Sequence, residues 1–113
     1  MRDMFYLVIT VYESSSNKQD YEPLYEECFS LITASSDEQA REKAQRYANL
    51  PNSYKNVQGE TITWSLKQLV DVRRLLEDDD FSDGTELYAR FFRDYKAYRA
   101  FDESAHPFSL DEE

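Results

Sequence analysis

From Ile62 onward apolar and polar residues alternate: Ile62, Trp64, Leu66, Val70 and Val72 share one parity, and Thr61, Thr63, Ser65, Lys67, Asp71 and Arg73 share the other. A period of two marks a strand with one buried and one wet face. Two residues break it, Gln68 on the apolar parity and Leu69 on the polar one. An unbroken strand from Thr61 to Leu76 would run roughly 50 Å at about 3.3 Å per residue, so the pattern predicts a bulge or bend near Gln68. Just ahead lies Gly59, which with Gly84 makes up the chain's 2 glycines; each is expected where a turn needs backbone angles that other residues resist. The stretch from Asn52 to Leu76 also holds the only Trp, and the rest of the chain reads as packing on it.

Met4 to Tyr12 predicts a first strand, with Phe5, Leu7, Ile9 and Val11 on one face and Tyr6, Val8, Thr10 and Tyr12 on the other. With both faces largely apolar, such a strand sits centrally in a sheet or has its second face covered by a tail or another subunit. Ser14 to Asp20 is polar throughout and reads as a loop. A second strand, Leu24 to Ala34, should pair antiparallel with the first. Ser36-Asp37-Glu38-Gln39 is a capping box: the Ser36 hydroxyl meets the backbone N–H of Gln39, and Gln39 reaches back. The helix it starts carries a stripe of small residues, Ala40, Ala44 and Ala48, with Tyr47, which lets it approach a sheet closely. Pro51 should end it.

Beyond the central strand, Glu77 to Gly84 forms an acidic turn. The following Leu87, Tyr88, Phe91, Phe92, Tyr95 and Tyr98 fit a helical stripe, but the Asp83-Gly84 turn and the Tyr/Phe-rich content favour a strand from Thr85 to Phe92, then a short helix near Tyr95 to Phe101. The fold class is α+β: an antiparallel sheet of four to five strands, one main helix packed on one face and a short C-terminal helix. Residues 1–103 form a single domain and 104–113 an irregular acidic tail.

A chain of 113 residues can bury roughly 65% of the surface exposed when unfolded, so it needs no metal or disulfide to fold. Thirteen Lys and Arg against 23 Asp and Glu give a net charge of −10. That field repels nucleic-acid phosphates and anionic lipid headgroups and attracts basic partners; its plain alternative is solubility alone. Aromatics make up 15% of the chain, enough that some should reach the surface. A single cysteine, Cys28, excludes an intramolecular disulfide and suits a reducing, cytoplasmic setting. No stretch approaches the ~20 apolar residues of a membrane span, and Phe5 to Val11 reads as a strand rather than a signal.

Candidate chemistry is sparse. The lone His106 lies in the tail and Cys28 in mid-strand, so no nucleophile and base are paired, and Cys28 reads as a small buried hydrophobe. In the acidic turn Asp79, Asp83 and Gly84 match an EF-hand loop, but Phe81 and Arg90 stand where carboxylate oxygens are required, so neither a metal nor a cofactor is assigned. Glu26, Glu27, Glu60 and Glu86 are candidates for paired carboxylates if the strands align them over a cleft; otherwise they solubilise the sheet surface. Trp64 reads as core, or else as a stacking platform.

Tyr54-Lys55-Asn56-Val57-Gln58-Gly59-Glu60-Thr61-Ile62-Thr63-Trp64, followed by Val70-Asp71-Val72 and Asp83-Gly84-Thr85-Glu86-Leu87-Tyr88, resembles a family of small bacterial proteins catalogued as domain of unknown function 4288. The resemblance runs from the first strand to Phe92. It implies a compact single domain and supplies no catalytic residues.

The resulting expectation is a non-enzymatic, acidic binding protein that recognises a basic protein, as an inhibitor, immunity or adaptor module would. Its surface would comprise Tyr54, Asn56, Glu60, Trp64, Asp78, Asp79, Asp80, Glu86 and Tyr88. The alternative is a small-molecule-binding or hydrolytic domain in which Tyr54, Asn56, Glu60, Trp64 and Glu86 converge on a pocket around the central strand. A homodimer is compatible with either.

Overall fold

The computed structural model describes residues 3–50, 52–75 and 81–105. Four antiparallel strands, β1 (Met4–Ser16), β2 (Tyr25–Ala34), β3 (Asn52–Lys55) and β4 (Thr61–Arg74), form one sheet in the order β2-β1-β4-β3. Helix α1 (Asp37–Ala48) connects β2 to β3, and α2 (Tyr95–Ala105) follows the sheet. The fold is α+β, with four strands among the described residues.

β1 is central, as its two apolar faces require, and pairs with β2 and β4 along its length. On one face Tyr6 packs with Ala34 and Ala40, bringing α1 against the sheet through small side chains. On the other, Leu7 and Ile9 pack with Leu75, Phe5, Val70 and Tyr88.

The breaks in the β4 alternation are two bulges. Ile9 faces Asp71 and Thr10 faces Leu69, leaving Val70 over; Val11 faces Gln68 and Tyr12 faces Leu66, leaving Lys67 over. Each extra residue inverts the parity. Leu69 thus lies opposite Thr10 and Gln68 opposite Val11, and the original parity returns at Val72, opposite Val8. Val70, which shares a parity with Trp64 in the sequence, packs instead with Leu7 and Ile9 on the far face.

Several expectations are corrected. β1 extends through Ser16, because Ser14 is buried and its hydroxyl accepts from the Leu24 N–H at 2.8 Å and pairs with the Tyr21 hydroxyl at 2.7 Å. β3 was not foreseen: all four of its residues are exposed, so it carries no alternation. Thr85 to Phe92 forms no strand; it lies against the sheet face, where Tyr88 joins the Leu7 cluster and the Arg73 guanidinium donates to the Ala89 carbonyl. α2 continues through Ala105, so Ser104 and Ala105 are helical. The Ser36 cap forms, with its Oγ accepting from the Gln39 N–H at 3.1 Å, but the Gln39 side chain accepts from Ser35 N–H at 2.6 Å, one residue earlier than a capping box prescribes. Pro51 and residues 106–113 lie outside the described residues.

Candidate functional site: an aromatic cavity beyond helix α1

α1 is shorter than the strands it covers, and past its last turn the sheet face is open. Here β1, β3 and β4 bring together side chains from distant parts of the chain. Trp64 lies opposite Ser14 on one side and Asn52 on the other, with Tyr12 opposite Leu66 and Tyr54 opposite Ile62. Between them opens a cavity of about 820 Å³. Its walls are the aromatic Tyr12, Tyr25, Tyr54 and Trp64, the aliphatic Leu24 and Leu50, and the carboxylate-bearing Glu26; Ser104 and Ala105 of α2 stand at its rim. No Lys or Arg is among the described lining residues.

Trp64 is half-buried rather than enclosed, because the helix that would have covered it stops short. Tyr54 is exposed. Trp64 is thus not the fully enclosed core residue that its parity predicts.

The other expected site residues do not converge there. Asn56 and Glu60 build the β3–β4 turn: Asn56 Oδ1 accepts from the N–H groups of Gln58 and Glu60, both at 3.0 Å, and Asn56 Nδ2 donates to Glu60 Oε2 at 3.3 Å. Gly59 supplies the turn's positive φ of 80°. The Asn56 side chain thus holds the chain reversal, while Glu60 Oε1 lies 3.8 Å from Lys18 Nζ. Tyr88 sits on the opposite sheet face, donating to Asp71 Oδ2 at 3.0 Å with the Arg73 guanidinium 4.7 Å from its ring. Glu86 is exposed on the covering segment. Asp78, Asp79 and Asp80 lie outside the described residues.

The carboxylates proposed as a pair are separated by strand geometry. Glu26 faces Tyr12 and Glu27 faces Val11, on opposite sides of the sheet, while Glu60 is in the hairpin turn and Glu86 beyond the sheet. Among the described residues, no three His, Cys, Asp or Glu side chains gather into a group able to hold a metal ion.

Cys28 is half-buried rather than enclosed, and its thiol donates to Glu26 Oε1 at 3.2 Å. Burial first, then the hydrogen bond and negative charge of Glu26, push its pKa up from 9.0 to about 11. A thiol so held is protonated at neutral pH and a poor nucleophile.

Tyr12, Leu24, Leu50 and Asn52 were missed as site residues. Tyr12 shares a parity with the helix-facing Tyr6 and Val8, but its proximity to Trp64 depends on a β1–β4 register set by the two bulges. Leu50 has only its place after the last turn of α1 to mark it.

The architecture defines a class: a four-stranded antiparallel α+β domain with an open, aromatic-walled cavity. A family model described as Domain of unknown function (DUF4288) matches residues 5–89, and the chain belongs to that family. No curated protein and no solved structure matches it. No helix among the described residues is long and apolar enough to cross a membrane.

Proposed function

We propose that this protein is a non-catalytic binding module whose cavity receives a cationic side chain of a basic partner protein. The carrying observation is the wall itself: four aromatic residues, Tyr12, Tyr25, Tyr54 and Trp64, beside one carboxylate, Glu26, with no cation among the described lining residues. Aromatic faces attract a guanidinium or ammonium group, and a neighbouring carboxylate adds a charge-assisted hydrogen bond. The net charge of −10 would draw such a partner in from a distance. The roles suited to this chemistry are those of an inhibitor, immunity or adaptor protein, and a reducing bacterial cytoplasm suits the single cysteine and the family resemblance. Against catalysis stand the protonated Cys28 thiol and the scattered carboxylates. The volume also lies within the range of small-molecule pockets, which sets the competing reading.

The test is an amide chemical-shift titration with N-acetyl-arginine methylamide, N-acetyl-lysine methylamide and N-acetyl-leucine methylamide. Shifts confined to the neighbourhood of Tyr12, Tyr54 and Trp64 for the cationic probes, and lost in Glu26→Gln, are expected. Equal response to the leucine probe would favour an apolar small-molecule site.

A further inference from the structure

A second unpartnered surface lies on the opposite sheet face. There β2 places Phe29 beside Ile9 and Leu31 beside Leu7, yet Phe29 is 62% exposed and Leu31 54% exposed. The segment that covers Leu7 and Ile9 through Tyr88 is held on the β4 side, by the Asp71 and Arg73 contacts, and leaves the β2 half of the face bare. Contiguous exposed apolar side chains on a soluble domain mark an interaction site.

The same chain also carries a helix whose apolar side is exposed. Every residue of α2 is exposed, and its apolar side is an ordered ladder: Phe92 stacks on Tyr98 at 5.0 Å and Tyr95 on Tyr98 at 6.4 Å between ring centroids. Phe101 extends it and the 98% exposed Phe91 precedes it. The segment ahead of α2 is tethered to the β4 side of the sheet at Ala89, and the end of α2 stands at the rim of the aromatic cavity, on the other face. The helix is therefore directed away from its own Phe29 and Leu31.

We propose that the protein self-associates by a reciprocal exchange in which α2 of each copy covers the Phe29–Leu31 face of the other. Charge favours the pairing. In a chain of net −10, the stretch from Arg90 to Arg99 carries Arg90, Arg93, Lys96 and Arg99 against a single acid, Asp94, with Arg99 paired to Glu103 of its own helix, while the β2 face presents Glu27 next to Phe29, opposite Val11. Area favours it as well. With aromatic side chains of 150–250 Å² about half exposed, the six aromatics per copy would remove on the order of 1,200 Å² from water in a symmetric pair, to which Leu31 adds, reaching the range of specific interfaces. A two-fold dimer is also the commonest closed oligomer, and exchange of an identical element is a low-cost route to one.

The mass of the wild-type protein across a concentration series, measured by sedimentation equilibrium, should be that of a dimer. Phe29→Asp and Tyr98→Asp alter exposed positions, so both variants should keep the wild-type circular dichroism spectrum and each should weaken dimerisation by at least about ten-fold. An equimolar mixture of the two variants retains one intact contact per pair and should associate more tightly than either alone. In a Cys28→Ser background, Phe29→Cys with Tyr98→Cys should oxidise to a species of dimer mass. A monomeric wild type, a dimer indifferent to both substitutions, as β2 edge pairing would give, or a cross-link formed within one chain would each overturn the proposal. Phe29 lies on the sheet face opposite the cavity, so the arginine-probe titration of Phe29→Asp tests the cavity separately from the dimer.

Discussion

The Tyr6 hydroxyl, on a side chain only 1% exposed, donates to Asp37 Oδ1 at 2.8 Å, so that the central strand grips the first turn of α1 by the residue next to its N-cap. The position suits an acid because Asp37 also faces the positive end of the helix dipole. Tyr6→Phe keeps the ring packing with Ala34 and Ala40 and removes only the hydroxyl. A loss of about 1.5–3 kcal/mol in urea denaturation is expected, the range for a hydrogen bond to a charged acceptor.

Thr10 lies beside the first β4 bulge, and its Oγ1 is buried with no hydrogen-bond partner among the described residues. A buried unsatisfied hydroxyl costs stability. Thr10→Val is nearly isosteric and suits a strand, so it should stabilise the protein by about 1 kcal/mol; an increased urea midpoint at unchanged slope is the measurement.

Substitutions at two positions separate the devices that hold the β3–β4 turn. Asn56→Ala leaves the Gln58 and Glu60 N–H groups without their side-chain acceptor and should cost about 1 kcal/mol or more. At Gly59 an added Cβ meets no atom within 4 Å, so only its φ of +80° matters. Gly59→Ala should then cost about 1 kcal/mol from backbone strain alone, with Gly59→Asn closer to wild type because Asn tolerates that region.

Trp64 is half-buried, so Trp64→Ala should cost roughly 2 kcal/mol, less than the 3–5 typical of an enclosed aromatic. The variant should stay folded and lose the response to the arginine probe. A drop in stability of the fully buried size would return Trp64 to the core.

Alkaline pH should destabilise the fold through three groups. The folded state holds the Cys28 proton more tightly than the unfolded chain, so its contribution is complete below pH 9 and is lost as pH rises towards about 11. Tyr25, raised above its ordinary 10.0 by its hydrogen bond to Glu13, and Tyr88, raised by burial and then by Asp71, add further loss above pH 10. Thermal melts should show a decline beginning near pH 9 that Cys28→Ser reduces. At pH 8 iodoacetamide should alkylate Cys28 about a hundred-fold more slowly than an unperturbed thiol, in proportion to the thiolate present.

Local chemistry determined much of this protein before any tertiary contact. The Ser36 cap, the Gly59 turn and the strand over Thr61–Arg74 follow from interactions within a few residues, and even the bulges are written in the departures of Gln68 and Leu69 from alternation, because a residue that must face the core reveals which way the backbone turns. Tertiary structure decided the rest. Asn56 looks like a binding residue until the hairpin closes and consumes its hydrogen bonds. Thr85 to Phe92 has strand composition, yet it is held to the sheet face through Tyr88, which packs with Leu7 and Ile9, and through the Arg73 bond to the Ala89 carbonyl. The cavity depends most on tertiary structure: Tyr12, Tyr54 and Trp64 meet only because β1 lies between β2 and β4 and β3 returns along β4. Register between segments fifty residues apart is set by the burial of the whole sheet, which no window of sequence contains.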